Sequence, residues 1–237
     1  MDAAGLSNND SSVLSALFDP ESSLSSTVQV DNSLPQGSDS AKIQGLQERE
    51  RDALRLLNHE TPAACDIKSA ISDLTSIIED DQSYASAWNN RAQARRMLIK
   101  DENLPTMPDA VAQIFQDITQ AISLATPKQL HGSISHLDAR VLASAHTHRG
   151  YLLLFASKSE DNRNMLSALP GLKPLSLADL EQAASRELGI GGRYGNETAR
   201  QLAVKTNPYA KLCGSIVREA LTKEISDYYH PQITIAR

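Results

Sequence analysis

The chain has 237 residues, a formal net charge of −6, an apolar share of 41% and a charged share of 22%. That length suits one large domain or two small ones, and the acidic surplus argues against a nucleic-acid binder, which carries a basic face. No run approaches the ~18 apolar residues of a membrane span; the longest apolar stretch is YLLLFA at 151–156. The start, MDAAGLSNND, has neither a basic nor an apolar leader region, so it does not read as a signal peptide. A cytoplasmic location is expected, with the nucleus left open. Cys65 and Cys213 have no spacing that defines a metal site or a disulfide framework, and read as two reduced thiols. Aromatic residues make up only 4%. A core of Leu, Ile and Ala suits helix packed on helix.

Residues 1–40 hold no Lys or Arg, six acidic residues and eleven Ser. Such a segment buries too little apolar area to offset its chain entropy, and is expected to be a disordered acidic arm. One island interrupts it, a short helix near 12–19 with Val13, Leu14, Leu17 and Phe18 on one face and Pro20 at its end. It reads equally as a helix resting on the chain's own fold, which includes blocking a binding groove, and as a docking motif for another protein.

From Lys42 onward apolar residues recur at helical spacing. Helices are predicted over 42–57, 65–80 (with Asp66 as N-cap), 84–100, 110–125, 134–158, 175–188, 197–205 and 208–226. Pro105 and Pro108 separate the third from the fourth, because proline cannot continue a helix from within. A loop is predicted over 159–174, and the glycine-rich GIGGRYG, 189–195, is read as the turn that ends the 175–188 helix. Residues 229–237 form a tail. No stretch alternates apolar and polar residues between turn signals, so the fold class is all-α.

Enzyme chemistry finds little support. His146 and His148 lie two apart on a helix and point away from each other, so they cannot share a metal. GIGGRYG follows a helix where the dinucleotide fingerprint needs a strand. No catalytic residue, metal or cofactor is assigned. The competing class is a small helical enzyme, or a direct regulator of one, using the region of His146, His148 and Cys213.

The helices come in pairs that can be laid over one another. SAWNNRAQARRML (86–98) aligns with SAHTHRGYLLLFA (144–156): both begin Ser-Ala, and Arg91-Ala92 matches Arg149-Gly150. AISDLTSII (70–78), DITQAIS (117–123) and LADLEQAAS (177–185) share an acidic-aliphatic core. The pattern resembles the tetratricopeptide repeat, a helix-turn-helix of 34 residues with a bulky and then a tiny position in its first helix. Trp88 takes the bulky position and Ala92 the tiny one; in the next unit His146 and Gly150 do so. The packing residues are then Ala70, Leu74, Trp88, Ala92, Ile118, Ala121, Gly150, Leu180 and Ala183. Ala85 and Ala143, which open these two units, lie further apart than one repeat, and insertions around 99–109 and 129–142 account for the excess; a third insertion lies inside the last unit at 159–174, and the first unit carries extra residues around 58–64. The fold class becomes a tetratricopeptide-type αα superhelix of three helix pairs (about 41–82, 84–127 and 134–188). C-terminal helices at 196–228 would cap it. In NPYAKLC (207–213), Tyr209 and Leu212 are read as covering the open end of the last repeat, in preference to a partner-facing motif.

The order of LSALFDPESSL (15–25), SYASAWNNRAQARRM (83–97), HRGYLLLF (148–155), LADLEQAA (177–184) and TARQLAVKTNPYAKLC (198–213) is similar to that of the tetratricopeptide repeat protein 36 family. In such arrays the first helices line a concave groove. The resemblance therefore implies a partner-binding surface of Asn89, Asn90, Gln93, Arg96, Met97, His148, Tyr151 and Phe155. Asn and Gln can bond an extended peptide backbone, and Arg96 can pair a carboxylate. A structural reading stands beside this one, in which Arg91 and Arg95 salt-bridge Asp117 or Asp73. The resemblance further implies a protein or peptide partner, a heat-shock 70-type chaperone among them, and a link to tyrosine catabolism. Asn90 matches one position of the carboxylate clamp of related arrays, but Ser144 and His148 stand where that clamp has Lys and Arg.

Overall fold

A computed structural model describes residues 28, 30–31, 39–127, 133–207 and 216–225. Short strand β1, Val30–Asp31, precedes helix α1, Ser40–Leu54, which a 3-10 turn extends to Asn58. Then come α2 (Ala64–Asp80), α3 (Ala85–Met97), a 3-10 helix at Asp101–Thr106, α4 (Pro108–Ala125), β2 (Ile134–Ser135) and α5 (His136–Ala156). After α6 (Glu160–Arg163) and a 3-10 turn at Asn164–Leu166 follow α7 (Leu177–Arg193) and α8 (Glu197–Thr206); a last helix, α9, covers 216–225.

The caps explain the boundaries. Asp39, Ser135 and Asn196 each accept a backbone N–H from the first turn of α1, α5 and α8, satisfying a donor that has no intrahelical partner. Ser176 and Asp179 form a reciprocal capping box at the start of α7. Pro108 begins α4, where its missing N–H costs nothing. The start of α2 corrects the sequence reading: its cap is Ala63, and Asp66 lies in the first turn, where its charge suits the helix dipole.

Sequential helices pack as three pairs: α1 on α2, α3 on α4, and α5 on α7, with α2 on α3 and α4 on α5 joining the pairs. This is an all-α helical repeat fold. One core cluster gathers Ile43, Leu46, Ile67, Leu74, Ile77 and Tyr84 around the first pair; a larger one runs from Ala92 through Ile114, Ile118, Leu142 and Leu152 to Leu180. Trp88 packs against both. Ala70, Leu74, Ala92, Ile118, Ala121 and Leu180 are fully or almost fully buried, while Ala183 is partly buried at the edge of the larger cluster. At Gly150 a Cβ would stand 2.8 Å from Leu188 Cγ and 3.1 Å from the Leu188 nitrogen, so the small residue allows α5 and α7 to touch.

Three sequence expectations need correcting. The glycine run does not end α7: the helix continues to Arg193. A Cβ at Gly191 would meet Thr147 Oγ1 at 2.6 Å and the Ala143 carbonyl at 3.2 Å; one at Gly192 would meet Arg200 Cα at 2.9 Å. These glycines let α5 and α8 lie close on either side. The turn comes at Gly195, whose φ of +102° favours glycine. Second, the segment 159–174 holds α6 and a 3-10 turn, and its Met165 and Leu166 are fully buried in the larger core together with Leu104 from the 99–109 insertion. The two insertions pack on each other. Third, within the arm expected to lack structure, Val30 and Asp31 pair in parallel with Ile134 and Ser135. Asp31 also accepts a hydrogen bond from Ser133, and Val28 packs on the larger core. The island near 12–19, Tyr209, Leu212, Cys213 and the 229–237 tail lie outside the described residues. Of the predicted C-terminal caps, α8 packs on α7, whereas all residues of α9 are exposed.

Candidate functional site

The first helices α1, α3 and α5 bring side chains of the predicted binding surface into contact, and many of them bond across helix boundaries. Glu50 of α1, itself buried, accepts the Tyr84 hydroxyl at 2.8 Å and Asn90 Nδ2 at 2.8 Å. Burial and the neighbouring Glu50 charge hold the Tyr84 phenol strongly protonated. Gln93 Nε2 donates to Ser144 Oγ at 2.7 Å, linking α3 to α5. Gln93, Met97 and Tyr151 remain exposed; Asn90, Arg96, His148 and Phe155 are half-buried. Phe155 leans on the larger core. Asn89 is the exception among the predicted residues: it is buried, donates to Asn90 Oδ1 at 3.3 Å, and so faces inward. Its neighbours Ala85 and Ala92 are small enough for α3 to sink into the array, which carries the side chain with it.

At the end of α3, Arg96 donates to the Ile99 carbonyl and to Asp101, and the Tyr151 hydroxyl donates to the other Asp101 oxygen at 3.1 Å. Partial burial and then the Asp101 carboxylate raise the Tyr151 pKa. Burial, with a smaller contribution from the Arg96 charge, pushes the His148 imidazole down to about 4. Neither ring nitrogen of His148 has a hydrogen-bond partner among the described residues.

On the opposite side of α3, Arg91 grips Asp117 of α4 with two bonds, at 2.8 and 3.0 Å, and Arg95 adds a third at 2.7 Å. Of the two acids the sequence offered, Asp117 is the partner. The Arg91 guanidinium also lies 4.8 Å from the Trp88 ring centroid, a cation–π contact. Asp117 is 1% exposed, so removing it would strand two arginines, a loss of about 3–5 kcal/mol. This cluster holds the second repeat together.

The histidines part company. His146 Nδ1 lies 2.8 Å from Glu187 Oε2, and its ring stacks on Tyr194 at 6.2 Å. Arg149 donates to the same carboxylate at 2.7 Å. Burial alone would raise the Glu187 pKa, but the bonds from His146 and Arg149 outweigh it and hold it below the ordinary glutamate range. His148, by contrast, faces Arg96. Asp117 was legible as the acid in the shared acidic-aliphatic pattern; Glu50, Asp101 and Glu187 were missed, because nothing in local spacing says which acid a fold will bring to which helix. Among the described residues no cluster of three or more His, Cys, Asp or Glu could hold a metal, and no helix is long and apolar enough to cross a membrane.

Stacked helix pairs, with small residues at their crossings and a polar strip along the first helices, define a tetratricopeptide-type helical repeat protein. The chain is 44% identical to the L-tyrosine degradation gene cluster protein hmgX of Aspergillus fumigatus, over 93% of each chain. The chain belongs to the family of that protein. It also resembles tetratricopeptide repeat protein 36 of Mus musculus, at 26% identity over 90% of this chain and 92% of the relative, and that of Danio rerio, at 28% over 92% and 94%. No family model and no solved structure matches.

Proposed function

We propose that the chain is a non-enzymatic adaptor that binds a protein or peptide along the surface of α1, α3 and α5, in the cytoplasm and in the service of tyrosine degradation. The observation that carries this reading is the strip of exposed Gln93, Met97 and Tyr151 on neighbouring first helices. Amide, thioether and phenol side chains there combine apolar contact area with adaptable hydrogen bonding. The name of the Aspergillus fumigatus relative supports the metabolic setting, and the family resemblance supports a heat-shock 70-type chaperone as the partner. The enzyme reading gains less: His146 lies against Glu187, neither ring nitrogen of His148 has a hydrogen-bond partner among the described residues, and Cys213 lies outside them.

Isothermal titration of the full chain with a heat-shock 70-type chaperone tests this. Wild type should bind, and Gln93→Ala/Met97→Ala should bind about tenfold more weakly with unchanged far-ultraviolet circular dichroism. Equal affinity in the two would remove the surface assignment, and no binding in either would remove the chaperone. Repeating the titration with tyrosine-degrading enzymes separates a chaperone adaptor from a direct enzyme regulator.

A further inference from the structure

The insertion that follows α3 turns back onto the proposed binding surface. Asp101 gives one carboxylate oxygen to an Arg96 terminal N–H and the other to the Tyr151 hydroxyl. The second terminal nitrogen of Arg96 is held by the Ile99 carbonyl. Three polar atoms around this bridge are shielded from solvent without a hydrogen-bond partner among the described residues: Arg96 Nε and both ring nitrogens of His148. Buried donors and acceptors left in this state are costly and point to an absent partner.

We propose that Asp101 is an internal stand-in for an external carboxylate, and that an acidic peptide displaces it to bind Arg96, Tyr151 and the ring of His148. The proposal rests on the binding-surface reading above and names the chemistry of its ligand. Asp101 uses only one N–H of the Arg96 edge formed by Nε and its neighbouring terminal nitrogen. A carboxylate seated on that edge takes both, in the paired geometry that guanidinium favours. The neutral His148 ring adds one further N–H donor. The Asp101 side chain is 53% exposed while that of Arg96 is 17% exposed, so the acid can leave for water and the guanidinium stays in place for an incoming carboxylate. The insertion does not depend on Asp101 for its position, because Leu104 is fully buried in the core and the Asp101–Thr106 helix packs on residues 160–166.

The carboxylate can come from an acidic side chain or from a peptide's own C terminus. Three fluorescein-labelled nonapeptides of one neutral parent sequence separate these sources. The first has a free C terminus and no acidic side chain. The second has an amidated C terminus and a central Asp-Glu pair. The third is amidated and carries no acid. Fluorescence anisotropy is measured against the full-length wild type, Asp101→Asn and Asp101→Asn/Arg96→Gln, each checked by thermal melting. Asp101→Asn should bind at least one acidic peptide about threefold to fivefold more tightly than wild type. It should not gain affinity for the third peptide, and adding Arg96→Gln should abolish the gain. The ring C–H resonances of His148 should shift as the acidic peptide binds. Equal affinities of wild type and Asp101→Asn, absence of acidic-peptide binding by Asp101→Asn, or a gain that survives Arg96→Gln would each overturn the proposal. The chaperone titration with Gln93→Ala/Met97→Ala leaves Asp101 and Arg96 intact, so the two readings fail separately.

Discussion

His148 shows how a single residue ties the candidate site to the stability of the fold. In an unfolded chain its imidazole titrates near 6.5; in the folded protein burial pushes it down to about 4. The folded state therefore binds fewer protons between those values, and stability falls as pH drops from about 6.5 to about 4. Glu187 acts in the same direction at lower pH. Its depressed pKa contributes stability above the unfolded glutamate value, which is lost as the pH falls through the folded one. Replacing His148→Leu should remove the first component. Urea titrations at pH 7 and pH 4.5 should show a smaller acid-induced loss in the variant, by about 2 kcal/mol. An equal loss in both proteins would mean that the ring is solvated. Asn89 shows the limit of positional reading at this scale: its place in the repeat pattern assigned it to the surface, and the depth to which α3 sinks among alanines turned it inward.

The helices were largely legible because their apolar residues recur at helical spacing, and so was the pairing, because Ala92 and Gly150 sit at equivalent places in their units. The GIGGRYG run was not. Local propensity treats glycine as a helix breaker, whereas packing on Ala143, Thr147 and Arg200 makes it a requirement for Gly191 and Gly192. Gly189 lies in the same helix, and a Cβ there would meet nothing within 4 Å, so the two kinds of glycine can be told apart by experiment. Gly189→Ala should stabilise the protein by about 0.5–1 kcal/mol through helix propensity. Gly192→Ala should cost about 1–3 kcal/mol, because the new methyl meets backbone. Chemical denaturation of the two variants measures both, and effects of the same sign would contradict the packing account. The buried Leu104, Met165 and Leu166 were equally hidden from the sequence: short apolar groups between prolines and polar residues carry no periodicity, and only the meeting of two insertions makes them core.

At the scale of the whole molecule, two hydrophobic clusters of the described residues meet at Trp88. Trp88, the only tryptophan, touches both, and its indole N–H donates to the Gln82 carbonyl at 3.0 Å. In helical arrays each repeat is stabilised mainly by its neighbours, so weakening one interface separates the units on either side. Trp88→Ala should turn a single thermal transition, followed by circular dichroism, into two, with the α1–α2 pair melting first. A single transition at lower temperature would show that the remaining contacts suffice to couple the clusters.

The pairing of Val30–Asp31 with Ile134–Ser135 changes what kind of spring this array is. An ordinary solenoid is open-ended, and its pitch yields when a bulky guest arrives. Here two residues that precede the first helix pair in sequence are laced to the threshold of the third, at the entrance to α5. Peeling those two residues away from Ile134 and Ser135 would uncover the backbone that leads into α5.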